Sequence, residues 1–446
     1  MKTRLLVCLA LHCCLTQAQA QDKDAIPLQQ LKEELKKEIL EELKEDKKKL
    51  VSLNNFTLSG YGAVNYYNYG RYDTDPNIKN KFDAERLNLY LGYRFNDWIS
   101  LKTEIEYEHG GTGSTIELDT QEEFGEYEKE IESGGEVKLE QIHIDFKIRP
   151  YFNVRVGRMK LHLSLAQNLD RPTQYFTTHR QEMENEMLPL GWYENGLQFY
   201  GSFLKNRFSY EVSITNGLDA TGFSSRNWIK RGHQTRFEMA VGNSLAYSAR
   251  LDYKFGTNKN TFAGVSAYIN DAAANRPKRD MDVSAYVSIL EAHVSYDEHY
   301  LKFSSVFLYG NVENSNIVSR KNANLSNNLG VKRTPVGKNM IGFSGDIGYE
   351  VLHFFNKTTA QKLYPFVRYE YYDTMHETEG AVVRKPRWER SVWTSGINWF
   401  VHPQIVIKAH YATRRLGSDH FDPVTSLNTG NKQKENTFSA GIGFTF

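Results

Sequence analysis

The sequence predicts an all-β fold, an antiparallel transmembrane β-barrel of about 16 strands. Three observations indicate this fold: side chains that alternate between apolar and polar, connections that alternate between short and long, and a final strand-like segment that continues to the last residue. In that segment Phe438, Ala440, Ile442, Phe444 and Phe446 share one parity, and small or polar residues take the other. An apolar face of this kind suits lipid, and a sheet in a membrane must close on itself because it can leave no unpaired edge.

Composition agrees with one repetitive unit. The chain has 446 residues and no internal Pro/Gly/Ser linker that would divide it into separate globular halves. Beyond the N-terminus it has no run of 18 apolar residues, so spanning helices are not predicted. Its mean hydropathy of -0.57 is compatible with barrel strands, in which every second residue is polar.

The first 20 residues have the pattern of a secretory signal peptide. Lys2 and Arg4 precede the apolar stretch 5–15, and the small residues of 18–20 predict cleavage before Gln21. All three cysteines lie in this segment, so we expect a mature chain without disulfides or thiolate metal sites. The 13 histidines lack ligand spacing, and no metal or other cofactor is predicted. The near-neutral charge gives no indication of a nucleic-acid partner.

Residues 21–53 predict an amphipathic helix that would lie in the periplasm. Leu28, Ile39 and Leu50 recur at intervals of eleven residues within a segment rich in Leu, Glu and Lys. Such a repeat is typical of straight or slightly right-handed helix bundles. Two interpretations remain open, a coiled coil between protomers and a solvated spacer helix.

Residues 54–446 predict the barrel. Sixteen alternating runs are expected at 56–69, 82–95, 98–109, 136–149, 151–158, 196–204, 207–216, 245–255, 261–270, 282–296, 300–310, 340–354, 363–373, 387–400, 404–415 and 436–446. The connections between them are short and long in turn, as in outer-membrane barrels, which have short periplasmic turns and long external loops.

Parity assigns a face to each strand residue. Leu87, Leu91, Ile142 and Val156 are expected to face lipid, and their polar neighbours the lumen. The predicted lumen-lining cations are Arg86, Arg94, Lys102, Arg149, Arg155, Arg250, Arg368, Arg390, Lys408 and Arg414. Acidic residues accompany them with a slight basic excess overall. A barrel of this size leaves room for water, which favours a channel over a barrel plugged by internal salt bridges.

The longest connection lies between Met159 and Asn195. The run GRMKLHLSLAQNLDRPTQYF from Gly157 and the run MLPLGWYENGLQFYG from Met187 resemble the phosphate-selective porin O and P family of Gram-negative bacteria. The resemblance implies a sixteen-stranded, trimeric barrel whose long third loop folds into the pore. It also implies that constriction residues come from this stretch, namely Arg158, Lys160, Arg171, Arg180, Glu182, Glu184 and Glu186.

The function expected from these observations is that of an outer-membrane porin without enzymatic activity. It would let small hydrophilic solutes and ions diffuse passively, with a weak preference for anions and possible selection of phosphate. We expect a homotrimer in the lipid bilayer of a Gram-negative outer membrane. The alternative is a barrel that serves as an adhesin or receptor through its long external loops.

Overall fold

The computed structural model describes residues 33, 35–41, 54–111, 117–122, 126–130, 135–165, 169–189, 191–234, 240–325, 333–355, 358–418 and 432–446. Residues 33 and 35–41 are helical with exposed side chains, in line with the helix predicted for that segment. The rest of the predicted helix and the predicted signal peptide lie outside the described residues. No helix among the described residues is long and apolar enough to cross a membrane.

Sixteen strands form a closed antiparallel barrel in which each strand pairs with the barrel strands before and after it, and the first pairs with the last. Two further strands, β4 (Glu117–Glu122) and β5 (Glu126–Glu130), form a separate hairpin outside this barrel sheet. The strands are β1 (Phe56–Tyr72), β2 (Lys81–Arg94), β3 (Ile99–Glu108), β6 (Glu136–Arg149), β7 (Phe152–Lys160), β8 (Tyr193–Phe203), β9 (Phe208–Asn216), β10 (Leu245–Lys254), β11 (Phe262–Asp271), β12 (Tyr286–Glu298), β13 (Leu301–Val312), β14 (Asn339–Tyr349), β15 (Lys362–Glu377), β16 (Glu389–His402), β17 (Ile405–Leu416) and β18 (Lys434–Thr445). The predicted fold class and all sixteen predicted strands are confirmed.

Closure occurs between β1 and β18. Val64 lies opposite Ile442 in the register. At the end of the ladder the backbone N–H of Gly60 donates to the carbonyl of Phe446 at 3.0 Å, and the reverse bond is 2.9 Å long. The terminal segment that predicted a barrel from the sequence is therefore the segment that completes it.

The two faces of the wall follow the predicted parity. Outward side chains are apolar and exposed, as at Leu91, Ile142 and Val156. Inward neighbours such as His143, Asp145 and Gln198 are buried and polar. Apolar atoms on the outside of a closed barrel suit a lipid environment, so the barrel is transmembrane.

The structure differs from the prediction at several strand ends and loops. β14 ends at Tyr349, five residues before the predicted end, because the Glu350 carboxylate accepts the backbone N–H groups of Leu352 and His353 and stabilises a short 3-10 turn there. The connection between β3 and β6 carries an unpredicted hairpin, β4 (Glu117–Glu122) and β5 (Glu126–Glu130).

Helical turns occur only within connections among the described barrel residues. The two α-helices are α1 (Glu182–Met187) and α2 (Ser315–Ala323). The 3-10 turns are Pro172–Gln174, Ala220–Gly222, Lys230–Gly232, Leu352–Phe354 and Pro386–Trp388. Most of these connections lie at the end of the barrel opposite the short turns, which we call the long-loop end.

An apolar core lies inside the barrel. Trp192, Leu218, Trp228 and Ile229 come from connections and are completely buried against inward side chains of β10 to β14 such as Ile289. One side of the lumen is thus filled with packed loops. Sequence reasoning placed no core there, because an apolar residue in a loop has no strand parity to assign it a direction.

Candidate functional site

The connection between β7 and β8, residues 161–192, folds into the lumen; we call it the inward loop. It contains the 3-10 turn Pro172–Gln174 and helix α1. Its residues leave the wall at β7 and contact β14, β15, β17 and β18 on the other side of the barrel. The longest connection therefore folds into the lumen, as the family resemblance implied.

Wall side chains hold the backbone of the inward loop at residues 175–178. Lys408 Nζ donates to two carbonyl groups of this segment at 2.7 Å each, and Asn398 Nδ2 donates to a third at 2.8 Å. His410 Nε2 accepts the backbone N–H of Thr178 at 3.1 Å. Buried backbone groups require such partners, so the wall positions this turn closely.

An ion pair anchors the start of α1. Arg414 Nε on β17 donates to Glu182 Oε1 at 2.7 Å, and the Tyr372 hydroxyl donates to the same carboxylate. The backbone N–H of Met183 donates to Glu370 Oε2 at 2.8 Å. Two carboxylates and one arginine thus fix the first turn of the helix against β15 and β17.

Glu186, at the other end of α1, faces several cations. Its carboxylate lies 3.8 Å from Arg390 and 3.9 Å from Arg226. Burial alone would raise the pKa of Glu186, but Lys230, Arg226 and Arg390 outweigh it and lower the pKa to about 2. Glu184, which lies between Glu182 and Glu186 in α1, is fully buried and accepts a hydrogen bond from the Ser164 hydroxyl within the same loop.

The cations of the inward loop are also paired. Lys160 forms an ion pair with Asp170, and Arg180 Nη1 lies 3.0 Å from the same carboxylate. Burial would raise the pKa of Asp170, but Lys160 and Arg180 lower it below its usual value. Of the four predicted constriction cations, Arg171 is the exposed one, while Arg158 is buried with its Nε donating to the Glu140 carbonyl at 3.0 Å.

The three acids predicted for the constriction, Glu182, Glu184 and Glu186, all have partners in the structure. Glu182 and Glu186 pair with wall arginines, Glu186 also contacts an arginine of a neighbouring loop, and Glu184 accepts a hydrogen bond from a serine of the inward loop. Their partners lie far away in the sequence, which explains why spacing could not reveal them. The charges of the acids in the inward loop are therefore compensated by their partners, and the loop does not present a row of free carboxylates.

Most predicted lumen cations are tied to acids or carbonyl groups. The ion pairs are Arg86 with Glu85 (3.0 Å) and Glu106 (3.4 Å), Arg250 with Asp252 (3.0 Å), and Arg368 with Asp346 (2.9 Å). Lys102 keeps 48% of its side chain exposed while contacting Asp145 at 3.1 Å, and Arg155 contacts Glu211 at 3.3 Å. Arg94 and Arg149 are exposed at the short-turn rim, where each is the last residue of its strand, and their place in the lumen lining stays a prediction.

Three inward glycines of the wall receive side chains of the inward loop. A Cβ at Gly348 would lie 2.5 Å from the Phe176 ring, and one at Gly443 would lie 2.3 Å from Pro172. A Cβ at Gly342 would lie 2.6 Å from both Met183 and Met187. Such approaches are possible only without a side chain on the wall.

Below the inward loop, towards the short-turn end, lies a cavity of about 380 Å³. Its polar lining includes Lys102, His143, Arg155, His162 and Arg171. Among the described residues, no group of His, Asp and Glu is arranged to hold a metal ion.

The sequence was compared with known families and proteins. No family model matches the chain. An uncharacterized protein of Aquifex aeolicus is 28% identical over 360 residues, which cover 80% of this chain and 74% of that protein.

Solved outer-membrane proteins have the same barrel architecture. The high-pH structure of OprB from Pseudomonas putida aligns with a TM-score of 0.52 at 10% identity, covering 88% of this chain and 94% of that chain. The anion-selective porin from Comamonas acidovorans aligns with a TM-score of 0.50 at 11% identity, covering 88% and 99%. OmpF of Salmonella typhi, solved with daunomycin, aligns with a TM-score of 0.50 at 11% identity, covering 88% and 97%. At these identities the similarity concerns the fold alone.

Proposed function

We propose that this protein is a porin of the Gram-negative outer membrane, through which small hydrophilic solutes and ions diffuse passively. The observation that carries the proposal is the inward loop, which crosses the lumen of a closed sixteen-stranded barrel and is held there by polar wall residues. A loop in this position narrows a channel without interrupting the barrel. The similarity in fold to solved porins agrees with this proposal.

The remaining open path would run on the side of β1 to β8. The opposite side is filled by the apolar core that contains Trp228 and Leu218. On the open side, Lys102, Arg171 and His162 retain exposure around the cavity below the inward loop. Charged groups that keep contact with water are what a channel for polar solutes requires.

Any anion preference would be weak. Lys102, Arg155 and Arg171 offer positive charge below the inward loop, but Asp145 and Glu211 lie beside the first two. Lys160 and Arg180 are held by Asp170, so they are poorly placed for selective binding of phosphate. Permeation of small solutes with slight charge discrimination fits this balance best.

We also infer a homotrimer embedded in the bilayer, with the predicted helix at 21–53 on the periplasmic side. The apolar outer wall can contact either lipid or another barrel, as at Leu91 and Val156. The helix repeat at Leu28, Ile39 and Leu50 would suit bundling between protomers. Cross-linking in native membranes, followed by denaturing electrophoresis, tests the trimer directly.

Single-channel conductance in a planar bilayer tests the function. Replacing Lys160 to Pro189 by a short Gly/Ser linker should raise conductance and admit larger uncharged solutes, because the inward loop would no longer narrow the path. The matched control replaces 378–385, a connection at the long-loop end, and should leave conductance unchanged. A wild-type protein that conducts no ions would contradict the porin and favour the adhesin or receptor.

A further inference from the structure

The charge of the lumen changes sign along the barrel axis. On β3 the inward residues are Lys102 nearer the short turns and Glu104, Glu106 and Glu108 nearer the long-loop end. A strand advances about 3.4 Å per residue, so Lys102 and Glu108 are about 20 Å apart along β3. That distance exceeds the screening length of about 8 Å at physiological salt, so the two regions act as separate zones.

The neighbouring strand extends the acidic zone. Glu136 on β6 lies directly opposite Glu108, which places two inward carboxylates side by side in the register. Glu140 lies at the register shift where Gln141 pairs with Glu104 and Leu139 pairs with Ile105. A bulge of this kind redirects a side chain out of the regular alternation. The Glu140 residue is 7% exposed, and Lys138 and Arg158 act electrostatically on its carboxylate.

Cations in this zone do not balance the acids. Arg86 contacts Glu85 at 3.0 Å and Glu106 at 3.4 Å, and Lys138 pairs with Glu136. Arg158 donates to the backbone carbonyl of Glu140 and also attracts its carboxylate. Six carboxylates thus face four lysine and arginine side chains, which are Arg86, Lys138, Arg158 and, beside Glu104, Lys160. The six are Glu85, Glu104, Glu106, Glu108, Glu136 and Glu140. Mobile cations from solution would supply the missing positive charge.

The opposite zone has the reverse character. Lys102 on β3 and Arg155 on β7 line the same cavity on either side of Asp145 on β6, and Arg171 adds an exposed guanidinium from the inward loop. Arg94 and Arg149, exposed at the short-turn rim, continue the positive charge towards that mouth. Mobile anions would collect here.

We propose that the lumen is a bipolar pore, acidic at its long-loop mouth and basic towards the short turns, and that it conducts ions better in one direction. A positive potential on the long-loop side drives cations into the acidic zone and draws anions into the basic zone, so both ions accumulate between them. The reversed potential depletes both ions there and lowers the current. This inference rests on the proposed porin function, because it requires an open path.

The experiment compares single-channel currents at equal and opposite voltages in symmetric KCl of about 0.1 M, where screening extends about 10 Å. Wild type should pass about 1.5 to 2 times more current in one direction, with the ratio falling to one near 1 M, where the screening length is about 3 Å. One-sided thiol labelling of a Lys205→Cys variant, at a short turn, reports the orientation of each channel. Larger current with the long-loop side negative would overturn the proposal.

Variants separate the zones. The triple change E106Q, E108Q and E140Q should bring the current ratio close to one. In a KCl gradient it should move the reversal potential towards the value expected of an anion-selective channel. The double change K102Q and R155Q should also lower the current ratio, but it should move the reversal potential towards the value expected of a cation-selective channel. The control E313Q neutralises an exposed glutamate outside the lumen and should change neither.

The outcomes distinguish the two proposals. A protein with normal conductance, equal currents in both directions and no salt dependence of the ratio is a porin without a bipolar lumen. Should the triple variant fail to fold, the double variant and the salt dependence of wild type still decide the question. A wild-type protein without any conductance contradicts the porin itself.

Discussion

Arg414 on β17 and Glu182 at the start of α1 are 232 residues apart in the sequence, and their side chains form an ion pair with Nε 2.7 Å from Oε1. Arg414 also pairs with Glu435 on β18, so one guanidinium joins the inward loop to two strands of the wall. Where a loop narrows a path, the width of the path depends on how firmly the loop is held. This pair is therefore a suitable place to test the anchoring.

Replacing Glu182 by Gln should loosen the first turn of α1. Removal of one partner leaves Arg414 with a weaker contact inside the barrel, at a cost of about 2 to 4 kcal/mol in the free energy of unfolding. We expect a lower thermal midpoint in detergent and more current noise in single-channel records. The control E313Q should behave as wild type. Unchanged noise in E182Q would mean that the other contacts suffice to hold the loop.

Acid should weaken the docking of α1 through Glu186. The pKa of Glu186 is lowered to about 2 in the folded protein, against about 4.3 in an unfolded chain. A depressed folded pKa stabilises the protein above the unfolded value, and this contribution is lost as pH falls from about 4.3 towards 2, up to about 3 kcal/mol. The thermal midpoint should fall over this range. In E186Q the fall should be smaller, and an equal fall would assign the effect to other carboxylates.

The wall was predictable from the sequence because alternation and connection length are local signals. Leu91 and Ile142 face outward and His143 faces inward, as their parity requires. The state of the charges was not predictable. Glu182 finds Arg414, and Lys160 finds Asp170, only after the inward loop has folded into the barrel. A count of basic and acidic residues cannot show which of them remain free to meet a solute.

Deletion of residues 21–53 should lower the thermal stability of the proposed trimer without unfolding the barrel. The repeat at Leu28, Ile39 and Leu50 provides an apolar stripe that would bundle between protomers. Heat dissociation followed by electrophoresis separates loss of the trimer from loss of the barrel. Identical dissociation temperatures for the deleted and the full-length protein would identify the helix as a spacer.

Adding a side chain to Gly348 should displace the inward loop from the wall. The Phe176 ring lies 2.5 Å from the position that a Cβ at Gly348 would take, and it stacks on Phe366 with ring centroids 5.0 Å apart. A stacked, rigid ring cannot move aside easily, so Gly348→Val should push residues 175–178 inward or free them. We expect altered conductance and increased current noise.

The same strand supplies the controls for this change. Gly345 faces outward, and a Cβ there would meet its nearest neighbour at 3.7 Å, so Gly345→Val should leave conductance and thermal midpoint unchanged. Gly342→Val presses against Met183 and Met187, whose flexible side chains can adapt, so its effect should fall between the two. If Gly348→Val and Gly345→Val have the same conductance, the contact between Phe176 and the wall does not position the inward loop.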